Sequence, residues 1–323
     1  MSRQLTLPET AAYLKEHDKY LILSHRRPDG DTVGSCAALC LALRAMGKTA
    51  WVYPNPQFTP KFRPFLESAS GPLCQAEAKA LPEQTVISCD IASAGLLPFG
   101  MEQASVELAI DHHGTNSGFA ARTHVEADKA ACGEILHALL PLLGVEPDKA
   151  MAEAIYVAVS TDTGCFRYAN VTANTFAVAA ACVRAGAEIY PINRVMFDTK
   201  RHARMQLEAW LTRTMAFYAD GRVALNAIPR ALVDELGLIE DDLDDIAGFG
   251  RGMEGVEIGV MLRQVEDGAW KVSVRTSPAF DAARICARFG GGGHRGAAGG
   301  TLHQDLETAE QTVLSSVGEE VAL

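Results

Sequence analysis

Positive charge is scarce in this chain. Against 40 Asp and Glu stand only 29 Lys and Arg, a formal charge of −11, so a broad basic surface is missing and a general nucleic-acid binder is excluded. No run of about 18 apolar residues occurs, which excludes a helical membrane span. The opening residues Met1-Ser-Arg-Gln-Leu-Thr-Leu-Pro-Glu lack a long apolar segment, so no secretory leader is expected. The eight cysteines include no Cys-x-x-Cys pair. Cys36 and Cys40 fall four apart on an apolar helix expected to start near Thr32, and Cys132, Cys165, Cys182 and Cys286 lie in apolar surroundings, the usage of free thiols in a reducing cytoplasm. Internal repeats and low-complexity segments are absent as well. What is present is 323 residues of 48% hydrophobic content, enough for two moderate cores and hence two domains.

The first part alternates strand and helix. A helix is expected near Pro8 to His17, a strand at Lys19 to Ser24, a helix from Thr32 to Met46 stopped by Gly47, and a strand at Thr49 to Tyr53. Strands at Thr85 to Cys89 and Ser105 to Ile110 follow, and after Asp111 the pattern turns helical: Ala130 to Leu143, Pro147 to Val159, Ala173 to Ala185, Ile189 to Phe197 and Arg201 to Arg213. Such alternation argues for a parallel sheet flanked by helices. Beyond it the texture changes to hairpins, with Asp220-Gly221 between Thr214–Ala219 and Arg222–Ile228, and Glu266-Asp-Gly268 between two further strands. The acidic run from Asp234 to Asp245 carries Leu236, Leu238, Leu243 and Ile246 and reads as solvated helix faces.

Acid and imidazole side chains follow the strands. His25-Arg-Arg-Pro-Asp29-Gly-Asp31 leaves the first, Asp90 the next, Asp111-His112-His113 the third, and Asp162-Thr-Gly164 ends a helix. At the carboxyl edge of a parallel sheet such residues can meet although far apart in sequence. Each alone is an ordinary cap or turn residue, but four together are not. A mixed imidazole and carboxylate set suits Mn²⁺, Fe²⁺ or Zn²⁺ better than Ca²⁺, and Asp29 and Asp31 can diverge around Gly30 toward different ions. Two such ions can share a hydroxide and clamp the attacking and leaving oxygens of a phosphoryl displacement. No protein nucleophile is then required, and Ser24 and Cys89, beside the candidate ligands, have no dedicated base.

The second half holds a contrast of charge. Residues 271–295 contain Lys271, Arg275, Arg284, Arg288 and Arg295 against Asp281 alone, which points to a focused anion site. Gly290 to Gly293 lets backbone amides approach a phosphate, His294 and Arg295 add donors, and Arg295 to Ala298 is expected to present a helix N-terminus.

With these residues in view the chain resembles the DHH phosphoesterase superfamily, in the branch that also carries the DHHA1 domain. The resemblance rests on His25 to Asp31, Asp90, Asp111-His112-His113, Asp162-Thr-Gly-Cys-Phe-Arg167 and Gly290 to Gly299, and it spans nearly the whole chain. It implies an N-terminal parallel-sheet domain (1–195), a helical linker (196–212) and a smaller α/β DHHA1 domain (213–323) with a hairpin-rich sheet, the active-site cleft lying between the two domains. It also implies two divalent metals, usually Mn²⁺, with Mg²⁺, Co²⁺ or Fe²⁺ as alternatives. His25, Asp29 and Asp90 would hold one, and Asp31, Asp90, His112 and Asp162 the other. His113 would touch the substrate phosphate, with Asp111 supporting it. Arg275, Ser277 and His294, with Gly292, Gly293, Arg263 and Arg295, would grip the nucleotide.

By length and architecture the branch most similar is the stand-alone oligoribonucleases that also act on adenosine 3′,5′-bisphosphate, often called nanoRNases. The implied activity is hydrolysis of RNA fragments of a few nucleotides together with removal of that 3′-phosphate, by a cytoplasmic protein with a homodimer as its assembly and no membrane partner. The rival enzymes of the superfamily are a linear or cyclic dinucleotide phosphodiesterase, a long-substrate exonuclease and a pyrophosphatase. The rival outside enzymology is a nucleotide sensor, which would be marked by a lost metal ligand.

Overall fold

A computed structural model describes residues 2–68, 71–74 and 83–321. The chain forms two compact units, Met1–Thr199 and Lys200–Leu323.

In the first unit, strands β1 (Arg3–Gln4), β2 (Tyr20–Leu23) and β3 (Ala50–Val52) join β6 (Thr85–Cys89), β7 (Leu108–Asp111) and β8 (Arg122–Val125). Two-residue strands β4 (Glu67–Ser68) and β5 (Gly71–Pro72) pair with each other apart from this sheet. The six-stranded sheet has the order β1-β8-β7-β6-β2-β3, and every pairing in it is parallel. Its central strands are buried on both faces, which is why they read as unbroken apolar runs. Tyr20 and Ile22 pack into one core, while Leu21 and Leu23 alternate into the other. The helices are α1 (Leu7–Glu16), α2 (Gly30–Ala45), α3 (Cys132–Leu143), α4 (Lys149–Asp162), α5 (Ala173–Arg184) and the short α6 (Ile189–Asn193). Helix α2 is buried from Gly30 to Leu43, so small residues set how close its neighbours come. A methyl group on Gly34 would lie 2.3 Å from the Ala154 carbonyl oxygen, and one on Gly30 2.3 Å from the Thr161 hydroxyl. Glycine at both places lets α2 press against α4, which brings Asp31 at the start of one beside Asp162 at the end of the other.

Two expectations change here. Helix α2 begins at Gly30 rather than Thr32, because Asp29 caps it by accepting from the amides of Asp31 and Thr32. The stretch after Asp111 is not purely helical, because β8 precedes α3; its residues Arg-Thr-His-Val are too polar to stand out, and His124 is satisfied in place by the Leu5 carbonyl and Glu126.

The second unit is an α/β layer around a mixed sheet of order β13-β14-β12-β11-β10-β9. Its strands are β9 (Ala216–Tyr218), β10 (Val223–Ile228), β11 (Ile258–Glu266), β12 (Ala269–Thr276), β13 (Gly292–His294) and β14 (Ala297–His303). Both expected hairpins form, and β10 with β11 supplies the one parallel pairing among the described strands of this second sheet. Helices α7 (His202–Thr214), α8 (Arg230–Leu236) and α9 (Glu240–Leu243) cover one end of the sheet through Leu207, Leu211, Ile228 and Met261. Helices α10 (Ala282–Ala287) and α11 (Leu306–Gly318) cover its other face through Ile285, Val313, Val260 and Val272. The acidic run does form helices, yet Asp242 is buried and pairs with Arg201 instead of facing solvent. Residues Arg295 to Ala298 are a tight connection into β14 and present no helix N-terminus. The glycines before them serve strand pairing: a methyl on Gly293 would lie 2.6 Å from Ala298 Cα and one on Gly291 2.5 Å from the Gly299 carbonyl oxygen. Among the described residues no helix is long and apolar enough to cross a membrane.

Candidate metal centre

Because β2, β6 and β7 run parallel, their carboxyl ends deliver His25, Asp90 and Asp111 to one edge of the sheet, where α2 and α4 add Asp31 and Asp162. Among the described residues three groups of ligand atoms form, each within 4.8 Å: His25 with Asp29 and Asp90; Asp31 with His112 and Asp162; and Asp90 with His112 and His113. Asp90 joins the groups. Its Oδ2 lies 3.7 Å from His25 Nε2 and its Oδ1 3.5 Å from His112 Nε2. His25 Nε2 is 3.3 Å from Asp29 Oδ2, and His112 Nε2 is 3.4 Å from Asp162 Oδ2 and 3.6 Å from Asp31 Oδ2. Ligands of one divalent ion sit about 3 to 3.6 Å apart when each bond is about 2.0–2.2 Å, so the spacing suits shared cations.

The carboxylates are steered by neighbours that occupy some oxygens and leave others. Asp29 uses Oδ1 to cap α2 and turns Oδ2 to His25, so the cap and the candidate ligand are one residue. Asp31, 1% exposed, accepts from Ser35 and from the Cys132 and Gly133 amides at the start of α3. His112 is oriented by Nδ1, 3.2 Å from the Lys129 carbonyl, which presents Nε2 to the acids. Asp90 holds a left-handed backbone at φ 60°, a strain of about 1–3 kcal/mol for a non-glycine residue. Its buried Oδ1 has no hydrogen-bond partner among the described residues.

Charge supports the same fit. Burial first, then the Asp162 and Asp29 carboxylates, push the Asp31 carboxyl well above the usual range. Burial, then Asp31 and Asp29, do the same to Asp90, and burial raises Asp162 to about 6. A cluster of crowded, desolvated acids with one orphaned oxygen is what a divalent cation relieves.

Asp111 stands outside the three metal groups. Fully buried, it accepts the His112 and His113 amides and His113 Nδ1 on Oδ1, and the Asn116 amide on Oδ2. Burial opposes its ionisation, but the bonds from His113 and Asn116 outweigh it and hold the carboxyl low. The Asp111 contact in turn raises the His113 imidazole, whose Nδ1 lies 3.4 Å from Asp90 Oδ1. Ser24 is buried and accepts from Asn55, and Cys89 is buried among Cys132 and Cys36, whose contacts push its thiol up, so neither is poised as a nucleophile.

Two residues escape a reading of the sequence. Asn116 completes the shell of Asp111 and also donates to the Ile91 carbonyl. Asn170 donates to the carbonyls of both Asp162 and Ala130, joining a candidate ligand to the approach of α3. Asn116 could have been sought as a polar residue close behind Asp111-His112-His113. Nothing in the sequence marks Asn170, whose place depends on the left-handed turn of Gly164, Cys165 and Phe166 before it.

In the second unit Arg275 and His294 fall in one row across the sheet, both opposite Ala297. Ser277 lies just past the end of β12, its buried hydroxyl without a partner among the described residues. Gly292 and Gly293 belong to β13 itself. Arg295 turns to the Pro278 carbonyl, and Arg263 sits away from Arg275, paired with Glu240 at 3.2 Å.

A parallel sheet carrying this acid and imidazole cluster, followed by a mixed-sheet unit, defines the class. Residues 19–159 match the DHH family, N-terminal domain, residues 223–322 match the DHHA1 domain, and the chain belongs to the DHH phosphoesterase family. It is 36% identical over 303 residues to the bifunctional oligoribonuclease and PAP phosphatase NrnA of Thermus thermophilus, covering 93% of this chain and 89% of the relative. To the protein of the same name from Bacillus subtilis it is 22% identical, covering 90% and 95%. A solved exopolyphosphatase-related protein from Bacteroides fragilis shares the fold at a TM-score of 0.87 and 22% identity, over 98% of this chain and 96% of that one.

Proposed function

We propose that this protein hydrolyses short oligoribonucleotides to mononucleotides and removes the 3′-phosphate from adenosine 3′,5′-bisphosphate. The observation that carries the reading is Asp90, a buried, strained carboxylate shared by groups of metal-ligand geometry on both sides. The relatives' names supply the substrate class.

His25, Asp29 and Asp90 hold one divalent ion, and Asp31, Asp90, His112 and Asp162 the other. Mn²⁺ is favoured by the mixed donor set. When bound, the pair supplies an activated hydroxide and neutralises charge on the scissile phosphate. Asp111 and Asn116 hold His113 so that its ring donates to a phosphate oxygen. The unit Met1–Thr199 does this chemistry, and the unit Lys200–Leu323 holds the rest of the nucleotide through Arg275, Ser277, His294 and the Gly292-Gly293 strand, with Arg263 and Arg295 at the margin. Binding energy from that remote grip positions the reacting phosphate. The eight free cysteines favour the cytoplasm, and the family resemblance favours a homodimer, which light scattering reads directly.

Purified protein supplied with Mn²⁺ is expected to convert a 5′-labelled RNA dinucleotide to mononucleotides and the bisphosphate to its 5′-monophosphate. Leaving both intact would sink the reading. A nucleotide sensor is disfavoured because every expected ligand position is present and brought together.

A further inference from the structure

The loop that leaves Asp90 is apolar, yet only part of it enters the core. Leu97 and Met101 are buried with Leu21, Leu23 and Ile91, while Leu96 and Phe99 stay 45% and 42% exposed. Two loops of the metal centre brace it. Behind Asp111-His112-His113, the Asn116 side chain donates to the Ile91 carbonyl and the Ser117 amide to the Ala92 carbonyl. Next to His25, the Arg26 amide donates to the Leu96 carbonyl at 2.7 Å and Arg26 Nε to the Leu97 carbonyl at 3.2 Å. The Tyr53 hydroxyl donates to the Phe99 carbonyl.

These bonds hold the Arg26 guanidinium over the Phe99 ring, 4.6 Å from its centroid. An exposed aromatic surface, with a cation on one of its faces, is therefore fixed on the loop between one candidate ligand, Asp90, and the neighbour of another, His25. A flat apolar surface of this kind accepts a nucleobase, because every base has a π-face. The position favours that occupant: a scissile phosphate held by His25, Asp29 and Asp90 brings its own nucleoside to this edge of the sheet.

We propose that Phe99, backed by Arg26, is the stacking platform for the base of the nucleoside bonded to the scissile phosphate. The inference rests on the function proposed above and adds a base contact made within the first unit, to which ring and ligands both belong. Stacking reads the face of a base and not its edge, so the platform selects nucleotides over other phosphoesters without choosing among the bases.

The test compares kcat/KM for adenosine 3′,5′-bisphosphate and for its base-free ribose analogue. Phe99→Ala is expected to lower the value for the nucleotide about tenfold, as for one lost base–aromatic stack, and to change that for the analogue by less than about twofold. Phe99→Leu keeps apolar bulk and should lose as much as Phe99→Ala, whereas Phe99→Trp should restore the nucleotide value. Calorimetry on the Mn²⁺-supplied protein reads the same contact without turnover: Phe99→Ala should weaken adenosine 5′-monophosphate about tenfold and leave ribose 5-phosphate unchanged. The proposal is overturned if Phe99→Leu behaves as the wild type, if the base-free compounds lose as much as the nucleotides, or if the wild type treats the two kinds alike. A wild type that binds the monophosphate through Phe99 but hydrolyses neither bisphosphate nor dinucleotide refutes the functional reading instead.

Discussion

The two units use the same residue types to opposite ends. In the first, glycines at 30 and 34 vanish into a helix interface so that acids on α2 and α4 meet at a buried edge. In the second, glycines at 291, 293 and 299 let strands approach one another, and Lys271, His294 and Thr301 stay exposed on the sheet. Asp29, Asp31 and Asp111 are each held by two or more donors in one unit; in the other His294 is exposed and Arg275 half-buried. On the proposed function the contrast is a division of labour: a metal centre would need ligands held in a buried core, and a nucleotide would be gripped by side chains on the second sheet.

Replacements can break that contrast at its strongest point. Asp90→Ala removes the shared ligand and should lower turnover by at least about 10³-fold while the nucleotide still binds, since every catalytic role assumed for the ions passes through it; steady-state kinetics beside equilibrium binding reads both. Gly34→Ala forces a methyl into the α2–α4 contact and should cost about 3 kcal/mol, at the upper end for overpacking, read by denaturant unfolding. A stable, fully active Gly34→Ala protein would show that the close helix approach does not position the site.

Smaller effects sharpen the contrast. Asn170→Asp keeps the shape of the side chain but replaces a donor to two carbonyls by an acceptor, so Mn²⁺ affinity should fall about 10- to 100-fold, the usual range for residues that orient ligands; calorimetry measures it. Arg275→Ala should raise KM with little change in kcat, the reverse of the Asp90 pattern. Acidification should act on the first unit. Asp31, Asp90 and Asp162 have carboxyls raised in the folded chain, so between an unfolded value of 3.8 and the folded value, about 6 for Asp162, the folded state binds more protons than the unfolded one. Their contribution to metal-free stability is therefore lost as pH rises through that window. A metal must displace those protons, so the rise in Tm produced by Mn²⁺ should be small near pH 5 and grow toward pH 7.5; an equal rise at both would show that these acids are not the ligands.

How much of this the sequence made legible divides along the same line. That His25, Asp29, Asp31, Asp90, His112 and Asp162 come together is legible because a parallel sheet gathers strand ends at one edge, so position along the chain already implies position in space. The exact start of α2 was missed because Asp29 serves as cap and ligand at once. Asn116 and Asn170 were invisible because hydrogen bonds to backbone carbonyls depend on loop paths. In the second unit Arg275 and His294 could be named, but not the row they share, since strand register follows from pairing across β12, β14 and β13 rather than from local pattern. The glycine run reads in the sequence as a phosphate-approaching loop, whereas Gly292 and Gly293 belong to the edge strand β13.

The central claim is that Asp90 joins two metal sites into one catalytic centre. Calorimetric titration of Mn²⁺ into metal-free protein, with dinucleotide hydrolysis followed over the same additions, tests it most directly. The wild type is expected to bind two equivalents, with activity appearing at the second, and Asp90→Ala at most one equivalent with no activity. Two equivalents bound by Asp90→Ala, or full activity of the wild type with one, would contradict it.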